Sequence, residues 1–136
     1  MYNTERKNYC GLPLPELNVF DVEFVSKIIL ELKTGKASGL DGISVEHISY
    51  AHPSLVLILS KLFQMIFTHS YVPDGFGLNY IVPIPKISGR SNRLSCNDFR
   101  GISIAPVMSK IFEHCVLRSF SELHASRDNQ FGFKKP

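Results

Sequence analysis

The chain of 136 residues contains no apolar run approaching the ~18–20 residues a helix needs to cross a bilayer, so no membrane span is expected. Its amino terminus, MYNTERKNYC, lacks the basic-then-apolar order of an export signal. Cysteine is scarce: Cys10, Cys96 and Cys115 are odd in number and show no C-x-x-C spacing, which argues against a disulfide framework and against a zinc site. An intracellular, non-secreted protein is therefore expected, with the nucleus among the compartments open to it. Catalytic signatures are missing as well. There is no G-x-S-x-G, no H-E-x-x-H and no carboxylate cluster resembling a two-metal site. Asp41 and Asp98 stand singly, and each is expected to order its own loop. Charge of either sign is modest, fifteen Lys and Arg against twelve Asp and Glu, and the resulting pI near 8.8 permits nucleic-acid binding without requiring it.

What is present suits one globular domain, since 44% of residues are hydrophobic and 11% aromatic. Residues 1–18 mix charges with Pro13 and Pro15 and read as an arm, with the domain in 19–136. Val25, Ile28, Ile29 and Leu32 recur at helical spacing behind Asp21, which predicts a helix over 22–33. Three glycines within 35–42 then allow tight turns and exposed N–H groups, either an ordinary interhelical loop or a cradle for an anion. It is not a P-loop, because Ala37 follows Gly35-Lys36 where a hydroxyl is required. A short helix over 45–50 precedes the main core helix, 53–69, whose stripe is Leu55, Ile58, Leu59, Leu62, Phe63 and Ile66, with Ser60, Lys61 and Gln64 on the opposite side. A loop over 71–79 leads to two short apolar runs. A last helix, 107–123, carries Met108, Ile111, Phe112 and Cys115 on one face and is expected to pack on 53–69.

Those apolar runs, Tyr80–Pro85 and Phe99–Ile104, flank a polar segment and read as a pair of strands. Pro83 and Pro85 put the first strand at a sheet edge, where a missing N–H costs little. Between residues 86 and 100, Lys86, Arg90, Arg93 and Arg100 outnumber Asp98 by three, which equals the formal net charge of the whole protein. Such a tip suits a polyanion or a triphosphate, or is a solvated basic loop with no ligand. The carboxyl-terminal run Gln130 through Lys135 is aromatic, small and basic by turns, a composition able to stack on bases and hold phosphates.

Six segments in order carry a family likeness: Lys33-x-x-Lys36-x-x-Gly39-x-Asp41-Gly42-Ile43, Val72-Pro73, Ile81-Val82-Pro83-Ile84-Pro85-Lys86, Asp98-Phe99-Arg100-Gly101-Ile102-Ser103-Ile104, Lys110-Ile111-Phe112-Glu113 and Gln130-Phe131-Gly132-Phe133-Lys134. Together they resemble the amino-terminal half of the reverse transcriptase domain of non-LTR, LINE-type retrotransposons, over about residues 20–136. The resemblance implies an α+β fold, the mostly helical fingers and early palm of a right-hand polymerase with a small antiparallel strand pair. It implies that Lys86 and Arg100 contact the triphosphate of the incoming nucleotide. Lys36, Gly39, Asp41, Gly42, Arg90, Arg93, Gln130, Phe131, Gly132, Phe133 and Lys134 would lie along the RNA template and DNA primer. Phe76 stands where a tryptophan is usual, and Gly101 where many members have proline. The family's magnesium-binding aspartate motifs have no counterpart in these 136 residues, so the expectation is a truncated RNA-directed DNA polymerase, inactive alone, or a nucleic-acid-binding module derived from one. Mg²⁺ is expected only for the intact parent.

Overall fold

Four α-helices and a projecting hairpin grow out of the hydrophobic pattern, and a computed structural model describes them over residues 19–86 and 95–121. Helix α1, Val22–Glu31, begins where Asp21 Oδ1 accepts the Phe24 N–H at 2.7 Å, and it buries Val25, Ile28 and Ile29. It stops two residues short of the predicted end because Leu32 turns to an extended conformation while its N–H bonds Ile29. The short helix α2, Val45–Ser49, is opened by Ser44, whose N–H donates to His47 Nδ1 at 3.0 Å, and it buries Val45 and Ile48. Helix α3, Ser54–Thr68, follows Pro53, which is already helical at φ −53° and ψ −27°, and α4, Val107–Ser119, follows Pro106, whose ψ of 144° ends an extended segment before the helix. Residues 122 and 123 of the predicted last helix lie outside the described residues.

An aromatic cluster holds these helices together. Phe20, fully buried, sits edge-on to Phe67 with centroids 5.4 Å apart and meets Phe112 at 6.0 Å. Phe112 also meets Phe63 at 5.4 Å and Phe76 at 6.1 Å, so Phe76 packs against the same core. Helix α1 is the close backbone neighbour of both α3 and α4. Helices α3 and α4 meet through the Phe63–Phe112 pair, so the expected packing of these two is made by large side chains across a wider gap.

The stripe on α3 needs correction on both sides. Ile58 is 59% exposed, whereas Ser60, expected outside, is buried. Ser60 Oγ donates to the Phe20 carbonyl at 2.6 Å, and Gln64 Oε1 accepts the Val19 N–H at 3.1 Å. The reason is the entry of residues 19–20 into the core as a non-helical segment beside α3. Its backbone groups must be satisfied once water is excluded, and polar residues one turn apart on α3 do this.

Strands β1, Tyr80–Pro85, and β2, Phe99–Ile104, form a two-stranded antiparallel sheet with Tyr80 opposite Ile104 and Pro85 opposite Phe99. Among the described residues the architecture is thus α+β, with four α-helices and one hairpin. The hairpin stands away from the core; on the face that Tyr80 shares with Ile104, those two residues and Val82 are half-buried, while Ile84, Ile102 and Arg100 are exposed.

Candidate functional site

An antiparallel ladder alternates pairs that exchange hydrogen bonds with pairs whose amides point outward. Just past β1, the Lys86 N–H donates to the Asp98 carbonyl at 2.7 Å, and this sets the phase. Ile81, Pro83 and Pro85 are then outward positions, where the missing proline donors take nothing from the ladder and leave a free edge with little to offer another strand. Gly101, opposite Pro83, is outward as well, so no ladder bond depends on its N–H.

Register also decides which side chains share a face. Tyr80, Val82 and Ile84 lie across from Ile104, Ile102 and Arg100, and Lys86 continues the same row opposite Asp98. Arg100 is therefore the diagonal neighbour of Lys86 on one face, a separation of about 7–8 Å between backbones that long side chains span easily. Both cations are exposed. Lys86 Nζ donates to the Asn97 carbonyl at 2.7 Å, and Arg100 makes no ion pair among the described residues. Between them and the hairpin base, Ile84 and Ile102 form an apolar floor, 43% and 46% exposed.

The turn before β2 is rigidified by Asp98. Its carboxylate accepts the Ser95 N–H at 2.7 Å, while the Asp98 N–H returns to the Ser95 carbonyl at 2.9 Å. Asp41 does the equivalent in the glycine-rich loop, accepting the Ile43 N–H at 3.1 Å. Gly42, at φ +69°, donates to the Gly39 carbonyl at 3.1 Å. Gly35, at φ +71°, donates to the Glu46 carboxylate, and that bond leads the causes that hold Glu46 below its ordinary pKa. The N–H groups of Gly35, Gly42 and Ile43 are thus committed to protein acceptors, and the Lys36 beside them is exposed. Gly39 is buried, and a Cβ there would lie 2.8 Å from Pro106 Cα.

Tyr80 joins loop and hairpin. Its hydroxyl donates to the Ser38 carbonyl at 2.9 Å, placing the loop at the base of the face that carries Lys86 and Arg100. Sequence reasoning passed over this tether; a tyrosine opening an otherwise aliphatic strand was the available signal. Arg90, Arg93, Gln130, Phe131, Gly132, Phe133 and Lys134 lie outside the described residues.

The described residues do not fit a magnesium pair. No group of three or more His, Cys, Asp or Glu comes together among them, and Asp41 and Asp98 spend their carboxylates on their own turns. No protein-family model matches the chain.

Proposed function

We propose that this chain is the fingers-side portion of an RNA-directed DNA polymerase of the non-LTR retrotransposon kind, and that its hairpin face receives a nucleotide's triphosphate. The observation that carries the reading is the diagonal placement of Lys86 and Arg100 on one exposed face. Lys and Arg side chains rooted on one face at diagonal positions can direct several charged donors to adjoining phosphate oxygens. Lys86 gives up only a neutral carbonyl to do so, and charge-assisted bonds to phosphate are the stronger. Ile84 and Ile102 supply an apolar surface for the sugar and base beside the phosphates. The loop tethered through Tyr80 carries exposed Lys36, a cation available to a template or primer.

These side chains bind and orient; no bond-making step is assigned to them. In a polymerase, preorganised cations at this place offset charge as the phosphoryl group transfers. A chain of the same element that also carries the palm carboxylates should lose most nucleotide incorporation on Lys86→Ala or Arg100→Ala. Unchanged incorporation in both would defeat the assignment.

The donor set favours a second reading for the chain as it stands: a nucleic-acid-binding module without catalysis. Binding of a labelled RNA–DNA primer–template should weaken as salt rises, because phosphate contacts release counterions. Loss of retention in the Lys86→Gln/Arg100→Gln variant supports both readings. Absence of any salt-dependent binding at low ionic strength removes the second reading.

A further inference from the structure

On the α1 side of the molecule, α1, the loop after it, α2 and α4 surround an open cleft of about 460 Å³. Its floor is apolar, with Ile28, Leu32 and Val45, and its walls carry Lys33, Lys36, Lys110, His114 and Arg118 against the single carboxylate of Glu31. None of these residues belongs to the hairpin. We infer that this cleft is a second anion site that takes a linear chain of phosphates, either the backbone of a single-stranded oligonucleotide or inorganic polyphosphate.

The spacing on α4 favours a chain over a single ion. Lys110, His114 and Arg118 follow one another at four-residue intervals, so they form a row on one helix face with about 6 Å of rise between neighbours and about 12 Å in all. Lys33 and Lys36 line the same cleft from the loop after α1. Like charges gathered around one concave surface repel one another, and a polyanion relieves that repulsion. Arg118 is not consumed by its ion pair with Glu31. The contact engages one amino group of the guanidinium, whose five N–H donors leave others for a ligand, and it orients the head group at the cleft. Lys36 is two residues from Ser38, where Tyr80 tethers the loop to the hairpin, a reach of about 7 Å along the chain. The cleft and the hairpin face thus adjoin the same short loop.

The test is fluorescence anisotropy of the full chain with a labelled single-stranded oligo-uridine RNA, with inorganic polyphosphate and poly-glutamate as unlabelled competitors. Lys33→Gln/Lys110→Gln removes two wall cations and leaves the Glu31–Arg118 pair in place; circular dichroism confirms its fold. This variant should reduce the slope of log K against log salt by about 1.4, roughly 0.7 for each lysine on a single strand. Glu31→Gln, which deletes the one opposing charge, should tighten binding severalfold, a gain that a merely structural role does not produce. Displacement by polyphosphate and not by poly-glutamate supports a phosphate site, and the ratio of RNA to polyphosphate affinities identifies the source. An unchanged slope in the double variant, or equal competition by poly-glutamate, overturns the inference. Loss of binding in Lys86→Gln/Arg100→Gln alongside an unchanged slope here sinks the cleft and spares the hairpin.

Discussion

Replacing Gly39 with alanine is the sharpest single perturbation of how the glycine-rich loop is seated. An added Cβ would stand 2.8 Å from Pro106 Cα and 2.9 Å from Pro106 N. Non-bonded carbons prefer about 3.5–4.0 Å, so the overlap is about 0.7 Å or more, and both obstructing atoms are backbone that cannot rotate away. Overpacking of this kind costs about 1–3 kcal/mol. With unfolding entropy of about 2.1 cal/mol/K per residue, a chain of 136 residues should lose about 3–11 °C in Tm. Two reference variants isolate the cause. Gly42→Ala meets no atom within 4 Å but forces a side chain onto φ +69°, at about 1–2 kcal/mol. Gly75→Ala meets neither obstacle and should stay within about 0.5 kcal/mol of the parent. Thermal and urea unfolding followed by circular dichroism give the three values. Because Ser38 adjoins Gly39, Gly39→Ala should also disturb the Tyr80 tether and weaken the nucleic-acid binding proposed above. A Gly39→Ala protein as stable as Gly75→Ala would show that the loop does not press on the start of α4.

Tyr80→Phe removes the 2.9 Å bond to Ser38 and should cost about 1 kcal/mol in urea unfolding, with faster amide exchange in the loop; identical exchange would mean the tether is idle. Phe63→Ala empties a fully buried ring position against Phe112 and should cost about 3–5 kcal/mol, leaving a chain that binds a hydrophobic dye. Cys115 is buried, and desolvation pushes its thiol up to about 12, so a thiol reagent at pH 8 should modify exposed Cys96 and spare Cys115 until urea is added. The same shift has a sign in stability. From about pH 9 toward 12 the unfolded chain releases the Cys115 proton while the folded chain retains it, so this group destabilises the fold as pH rises through that window, and Cys115→Ala should flatten the decline.

The hairpin was legible because three signals in its sequence agree. Apolar runs of strand length, a polar segment between them, and prolines admissible only at outward positions all specify the same element, and both strands have the bounds read from the residues. Helix α3 was legible as an element, but its faces were misassigned at Ile58 and Ser60. Periodicity ranks side chains by polarity and knows nothing of the Phe20 carbonyl that needs a donor. The cleft was invisible for a related reason. Lys33 and Lys36 are separated by more than seventy residues from Lys110 and Arg118, and each pair taken alone looks like ordinary solvated charge.

Local chemistry in the chain determined its elements, because caps, prolines and apolar spacing act over a few residues and need no partner from elsewhere. It also determined that positive charge is concentrated around the hairpin. Only the tertiary structure decided that Lys86 and Arg100 are diagonal neighbours, since a shift of one residue in register would have sent them to opposite faces. Only packing decided that Gly39 is held against Pro106 and that Tyr80 reaches Ser38, because both contacts join segments that lie roughly forty or more residues apart. Such contacts form when hydrophobic burial brings helices and hairpin together, and no local pattern encodes them.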